Sequence, residues 1–460
     1  MENALKNVSA VSPRMEWKAI EWKKVNEYVK KLRQRIFRAE QLGQHRKVRK
    51  LQRLMMRSRA NLLISIRKVT QENSGKRTAG VDGYKALTAT EREELYEQVR
   101  KYNLRSVKVK PVRRTYIEKK NGKLRPLGIP VIKCRIYQNI VKNALEPQWE
   151  ARFEPCSYGF RPKRSTHDAI DCLHKKLSSR CHKKWVLEGD FRGCFDNLNH
   201  EHILTKIGKF PNKQLIERWL KAGYVDNETF HETEKGTPQG GVISPLLANI
   251  ALHGMEQELG VEYQYMKSRY VVKSKSIGIV RFADDFVAIC HTKEEAEAMY
   301  EKMTKYLSER GISLSMEKTR VTHIEDGFDF LGFNLRQYSK KNGRKKLLIK
   351  PSKESIKKAK AEIKEEFSRK IGRPVRELIS ELNPIIRGVG YYWNKVTASK
   401  IFKGIDHYVW EKIYKKLRRQ HSKKSWKWIT KRYFKPDHNG INQRPPLQVV
   451  VWVSPCKGLW

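Results

Sequence analysis

Ser276-Ile-Gly-Ile-Val-Arg-Phe-Ala-Asp-Asp-Phe-Val-Ala-Ile-Cys290 reads as two short apolar strands flanking a tight turn, with Asp284 and Asp285 at the turn. Adjacent carboxylates between two buried strands are costly unless something neutralises them, and a divalent cation is the usual answer. An Asp-Asp pair is also what an ordinary turn uses, because Asp hydrogen-bonds its own backbone. The residues on either side decide between these readings.

Working outward, Trp185-Val-Leu-Glu-Gly-Asp-Phe-Arg-Gly-Cys-Phe-Asp-Asn197 opens with a second buried strand that ends in Asp190, where an unpaired carboxylate has no structural excuse. Asp196 and Asn197 precede a helix, and for Asp196 a capping or turn role is preferred. Gly236-Thr-Pro-Gln-Gly-Gly-Val-Ile-Ser-Pro-Leu-Leu-Ala-Asn249 sets a Gly-rich turn directly onto an apolar helix, which lets backbone come close to a ligand. After the Asp-Asp hairpin, Lys293–Arg310 reads as a helix, Gly311–Ile324 holds a strand carrying Lys318, and Phe328–Phe333 is a compact apolar turn. Upstream, Val107–Ile117 alternates as a strand that enters a hairpin around Asn121-Gly122. Lys119, Lys123 and Arg125 lie on or beside that ribbon, where they either protect an edge by charge or grip a triphosphate; both readings stay open.

The 460 residues are enough for two or three domains, and 39% hydrophobic residues are enough for real cores. Lys plus Arg number 97 against 49 Asp plus Glu, a formal charge of +48 that calls for a polyanionic partner, nucleic acid before membrane surface. No run approaches about 18 consecutive apolar residues and no apolar leader is present, so no membrane partner and a soluble interior compartment are expected. The seven cysteines form no C-x-x-C pair and read as reduced thiols.

From Trp17, Val25, Tyr28, Val29, Leu32 and Ile36 repeat at helical steps; after Gly43, Val48 to Ile66 predict a second helix. Between Lys23 and Arg59 stand 14 Lys or Arg and two Glu, too lopsided for self-solvation and suited to tracking phosphates. Beyond about residue 353, Lys-rich amphipathic helices follow, one of them ending near Asn383-Pro384. Tyr391–Phe434 holds eleven aromatics among dense Lys and Arg; most are expected as core, while the interleaved cations also suit stacking on unpaired bases. The predicted division is 1–72, a basic helical extension; 73–350, the segment carrying the motifs above; 351–434, a run of Lys-rich helices; and 435–460, a short tail.

Three carboxylates on two strands, a basic hairpin and a Gly-rich turn together suggest phosphoryl transfer assisted by two Mg2+ ions. With these motifs in place, the chain resembles the group II intron-encoded reverse transcriptases and maturases, from about Trp17 to Phe434. The resemblance implies an α+β right-hand polymerase: fingers and palm on an antiparallel sheet, then an α-helical thumb and maturase domain. It implies Asp190, Asp284 and Asp285 as the catalytic metal ligands. It places Gln239 against the incoming nucleotide, Lys119 and Arg125 on the triphosphate, Phe195 against a ribose 2′-hydroxyl, Lys318 in a later palm motif, and Phe330, Leu331 and Gly332 in the primer grip.

The implied activity is RNA-directed DNA polymerisation coupled to intron splicing and mobility. The implied partners are group II intron RNA, an RNA template with a DNA primer, and dNTPs, in a prokaryotic cytoplasm or an organelle; a homodimer is compatible with this. Fuller relatives add a DNA-binding region and a Cys/His-rich endonuclease. Here about 26 residues follow Phe434 without paired cysteines, so autonomous second-strand cleavage is not expected. Three alternatives share parts of the pattern: an RNA-copying RNA polymerase, a splicing cofactor acting mainly by binding RNA, and a reverse transcriptase of a defence system. Phe195 argues against the first, the intact aspartates against the second, and the thumb against the third.

Overall fold

Val29, Leu32 and Ile36 fall on one face and are buried, which makes residues Trp22–Gln41 an amphipathic helix, α1. Helix α2 (His45–Arg57) buries Val48, Leu51 and Met55 in the same way. The helix predicted across Val48–Ile66 is broken at Ser58. Its extended backbone and its hydroxyl, accepting from the Asn61 N–H, cap a separate helix, α3 (Arg59–Arg67). Helix α4 (Ala89–Val99) opens on a Thr88/Glu91 capping box. Helices α1, α2 and α3 pack on α5 (Ile132–Glu150), which is buried around most of its circumference. The basic run therefore does not all face water: Arg33 pairs with Glu146 and donates to Asn143 at 3.1 Å. The structure, a computed structural model, describes residues 16–118, 122, 124–178, 182–266, 269–273, 276–339, 341–369, 374–433, 435–436 and 443–444.

Strands β1 (Val112–Glu118) and β2 (Leu124–Ile129) form an antiparallel hairpin. Asn121, expected at its turn, lies outside the described residues. Helix α6 (Thr166–Lys176) starts at Ser165, whose hydroxyl accepts from the Asp168 N–H as expected of an N-cap. Strand β3 (Trp185–Arg192) leads into the short α7 (Cys194–Asn197), then α8 (His200–Ile207) and α9 (Lys213–Leu220). Strand β4 (Tyr224–Asp226) pairs parallel with β1 and antiparallel with β5 (Thr229–His231), giving the order β2-β1-β4-β5. The antiparallel expectation thus meets one short parallel pairing in this sheet.

Helix α10 (Ser244–Ala251) follows the Gly-rich turn, then α11 (Met255–Glu258) and the hairpin β6 (Tyr263–Met266) with β7 (Arg269–Val272). The central sheet is built from β8 (Gly278–Phe282), β9 (Asp285–Cys290) and, after α12 (Lys293–Ser308), β10 (Ser313–Leu314), in the order β10-β3-β9-β8. Strands β3 and β10 run antiparallel. Helix α12 stops two residues short of the predicted end.

Two compact units divide the chain: Met1–Ala169, Leu187–Ala288 and Glu294–Arg320 in one, Ile170–Val186, Ile289–Lys293 and Val321–Trp460 in the other. In the second, β11 (Arg320–His323) is followed by an antiparallel meander, β12 (Phe328–Phe330), β13 (Phe333–Ser339) and β14 (Lys345–Pro351). Helices α13 (Lys353–Arg369), α14 (Val375–Trp393), α15 (Ser399–Gln420) and α16 (Trp426–Tyr433) complete it.

Helix α14 runs through Pro384, where an end was predicted. Leu378, Leu382 and Ile386 are buried on both sides of the proline, and this packing outweighs the one lost backbone hydrogen bond. Nor do the aromatics supply the core here: Trp393 alone is buried among the described aromatics of 391–433. Ile405, Val409, Ile413 and Leu417, one turn apart on α15, do that instead. Trp410 and Tyr414 stack on one another, and Trp426 meets both rings edge-on. Among the described residues no helix is long and apolar enough to cross a membrane.

Candidate active site

Strand β8 ends at Phe282 and β9 begins at Asp285, so Ala283 and Asp284 make the turn and Asp285 is the first residue of the returning strand. Ala283 holds φ 59°, in the left-handed region that costs an L-residue about 1–2 kcal/mol. The Phe191 N–H donates to the Asp284 carbonyl at 3.2 Å, which sets Asp190 on β3 beside the turn. Phe191 and Phe286 stack beneath it, ring centroids 5.4 Å apart.

Burial, and then the charge of Asp190, push the Asp284 carboxyl above the usual carboxylate range. Burial and the charges of Asp284 and Asp190 push Asp285 up to about 7. The three carboxylates thus feel one another in a poorly solvated place. Asp190 is not the last residue of its strand, which continues to Arg192.

Lys318 lies in the turn between β10 and β11, not on a strand as predicted. Its ammonium pairs with Asp190, and that hydrogen bond raises its pKa. Arg125, exposed on β2, is close enough for its charge to lower the Asp284 pKa. Lys119 lies outside the described residues. Phe195 on α7 meets Phe160 edge to face, centroids 5.8 Å apart.

In the Gly-rich turn the close approach is to the chain's own backbone: a Cβ on Gly236 would lie 2.5 Å from the Asp196 carbonyl oxygen. Thr237 N–H donates to Phe195 O at 2.6 Å, and Gly128 N–H to Gln239 O at 3.2 Å, so the turn spans from α7 to β2. Gln239 reaches the Asp196 carboxylate at 3.4 Å. Asp196 therefore does more than the turn role preferred from sequence, and nothing local to residues 193–199 signals it.

In the other unit, Phe330 ends β12 and Leu331-Gly332 turn into β13. Leu331 holds φ 49°, and its carbonyl accepts from the Tyr392 hydroxyl at 2.7 Å. Ser352 N–H donates to Gly332 O at 2.9 Å.

Among the described residues, no three His, Cys, Asp or Glu side chains stand together in a ready-made metal cage, and Lys318 is paired with Asp190. The donor chemistry nonetheless fits a hard divalent cation. All candidate donors are carboxylate oxygens, and their mutual repulsion and burial favour whatever neutralises them. A second feature is a cleft of about 820 Å³ between the α1–α2 and α8–α9 turns, lined by Arg46, Lys47, Arg49, Arg152, Lys206 and Lys209 among others.

Comparison with known proteins adds three family matches. Residues 117–335 match "Reverse transcriptase (RNA-dependent DNA polymerase)", 17–99 match "N-terminal domain of reverse transcriptase", and 356–434 match "Group II intron, maturase-specific domain". Protein YkfC of Escherichia coli (strain K12) is 35% identical over 317 residues, covering 62% of this chain and 83% of that protein. The group II intron-encoded protein LtrA of Lactococcus lactis subsp. cremoris is 34% identical over 283 residues, covering 49% of this chain and 47% of LtrA. Maturase-like protein 1 of Euglena gracilis is 28% identical over 326 residues, covering 70% of this chain and 66% of it.

Proposed function

This chain belongs to the group II intron reverse transcriptase and maturase family, RNA-directed DNA polymerases with a role in splicing, and we propose that Asp190, Asp284 and Asp285 are its catalytic carboxylates, holding two Mg2+ ions. Divalent metals are general in this family, and RNA is its partner class. The observation that carries the residue assignment is the shared electrostatics of the three carboxylates around one strained turn.

When bound, the metal pair supplies a more acidic 3′-hydroxyl and charge stabilisation at the leaving oxygen. The chain's own residues do the rest. Arg125, within electrostatic reach of Asp284, offers a cation to a triphosphate. Lys318 holds the Asp190 carboxylate through an ion pair. Phe195, braced edge-on by Phe160, excludes a 2′-hydroxyl; Gln239, tethered to Asp196, lies against the nucleotide. Phe330, Leu331 and Gly332 grip the primer. The intended primer-template is RNA with a DNA primer, the substrates are dNTPs, and the RNA held for splicing is the host intron, in a prokaryotic cytoplasm or an organelle.

Primer extension on an RNA template with Mg2+ tests this reading directly. DNA should be made from dNTPs, and Phe195→Val should raise the rNTP-to-dNTP ratio of kcat/KM. If the ratio stays put while all activity drops, Phe195 is core and not a gate.

The basic cleft supports a phosphate-binding role for the N-terminal helices. Because α1–α3 pack on α5, truncation would strip the core, whereas Arg46 and Lys47 are exposed and removable. Arg46→Gln with Lys47→Gln should flatten the log Kd against log salt slope for intron RNA by about 0.7 per lost phosphate contact. An unchanged slope with wild-type affinity would exclude the cleft.

A further inference from the structure

Arg281 lies in β8, two residues before the strained turn, and its side chain is 0% exposed. Among the described residues no carboxylate stands within ion-pair distance of it. Its partners are neutral: Nη1 donates to Asn249 Oδ1 at 3.1 Å and to the Ala283 carbonyl at 3.0 Å, and Nη2 to Ser157 Oγ at 2.7 Å. Its direct acceptors are neutral, although its charge reaches the buried Glu154 carboxyl, and a cation this deeply buried costs more than an apolar side chain of similar volume in a strand core. Its place in the strand core therefore asks for a purpose other than stability.

The geometry around it closes on the turn. Asn249, at the end of the Gly-rich motif and itself buried on α10, donates its Nδ2 to the Gly159 carbonyl at 2.8 Å. Gly159 lies so close to the turn that a Cβ there would stand 2.2 Å from the Ala283 nitrogen. Arg281 N–H donates to Cys156 O at 2.8 Å, and Tyr158 N–H to Arg281 O at 2.9 Å, so residues 156–159 are stitched along the end of β8. Three separate segments thus meet at one guanidinium, and the atom it grips in the turn is the carbonyl of the residue with φ 59°.

We propose that Arg281, aligned by Asn249 and Ser157, is a positioning residue for nucleotidyl transfer: its planar fork holds the Ala283 carbonyl and so keeps the turn in the conformation that sets Asp284 and Asp285 beside Asp190. The proposal rests on the reading of Asp284 and Asp285 as catalytic. A Lys at 281 keeps the charge but has no fork, so it cannot hold Asn249, Ser157 and the carbonyl in one plane. The loosened turn should fall on the chemical step, since small misplacements of reacting groups lower rate more than binding.

The test is single-turnover and steady-state primer extension by full-length Arg281→Lys, with its thermal melt. Expected is a kcat loss of about 10- to 100-fold, with dNTP KM and primer-template Kd within about twofold of wild type. Adding Ala283→Gly, which reaches φ 59° without a Cβ penalty, should recover about fivefold or more of that loss. A merely structural arginine would show no such recovery. A folded Arg281→Lys with wild-type kcat, or a kcat loss that Ala283→Gly leaves untouched, overturns the proposal. Should Arg281→Lys fail to melt cooperatively, Ser157→Ala removes a single acceptor without disturbing the core. It should lower kcat at unchanged KM, and wild-type kcat in that variant overturns the proposal equally. Asp284→Asn runs alongside: if it extends primers normally, the assignment of the turn itself falls, a result distinct from failure of the clamp.

Discussion

Besides the Asn227-Glu228 turn between β4 and β5, two hairpin turns among the described residues hold a non-glycine residue in the left-handed region, Ala283 between β8 and β9 and Leu331 between β12 and β13. The first is followed by two carboxylates and is held by a buried guanidinium. The second is apolar, and neutral groups hold it: the Tyr392 hydroxyl on Leu331 O and the Ser352 N–H on Gly332 O. A turn that only has to keep a shape is served by hydrogen bonds worth about 1 kcal/mol each. A turn that must hold like charges together out of water needs a brace that does not rotate. The contrast separates residues kept for chemistry from residues kept for form.

The largest expected effect breaks the comparison at its charged member. Asp284→Asn should lower primer extension by about a thousandfold or more, because a ligand for transition-state charge is gone. The melting temperature should hold or rise, since burial and Asp190 already disfavour the charged carboxylate. Loss of activity together with collapse of the fold would make the residue structural, like its counterpart in the second turn.

An intermediate effect belongs to the apolar turn. Gly332 has φ 77°, and a Cβ there would lie 2.7 Å from Ser355 Oγ, so Gly332→Ala should destabilise by about 1–2 kcal/mol. Tyr392→Phe should cost about 1 kcal/mol by removing one hydrogen bond. Calorimetry of both should show lowered melting with dNTP KM unchanged; a shift in dNTP KM would mean that this turn also handles the nucleotide.

The smallest effect is one of pH. The Asp285 carboxyl is raised to about 7 in the folded state, so the folded chain binds a proton more tightly than the unfolded one. That contribution is fully present below the unfolded pKa near 4 and is lost as pH rises through about 7. Melts in EDTA should therefore show a stability decline across that window that Asp285→Asn abolishes. Persistence of the decline in the mutant would assign it to other groups.

Much of the site was legible because its signals are local. Alternating apolar residues around Asp-Asp specify a hairpin whatever surrounds it, and a carboxylate at position 190 stands out against Val186, Leu187 and Phe191, all buried. Ser165 could be read as an N-cap because capping involves residues three apart. Lys318 was assigned to a strand because the apolar pattern of residues 312–324 continues across a three-residue turn that carries no Gly or Pro to mark it. Helix α14 was predicted to stop at Pro384 because the lost hydrogen bond is local and visible, whereas the burial of Leu382 and Ile386 is not.

What the sequence by itself determined is the set of chemical groups and the short-range turns that display them: the three aspartates, the Gly-rich turn and the basic helices. Only the tertiary structure decided that Gln239 meets Asp196, that β1 takes β4 as a parallel neighbour, that aliphatic and not aromatic residues fill the core of α15, and that Arg281 lies buried against the Ala283 carbonyl. The meeting of Gln239 with Asp196, the pairing of β1 with β4, and the bonds of Arg281 to Asn249 and Ser157 join residues far apart in the chain. Periodicity and turn chemistry record what a residue does with neighbours a few positions away, and a contact across dozens of positions leaves no such trace until packing brings the two segments together.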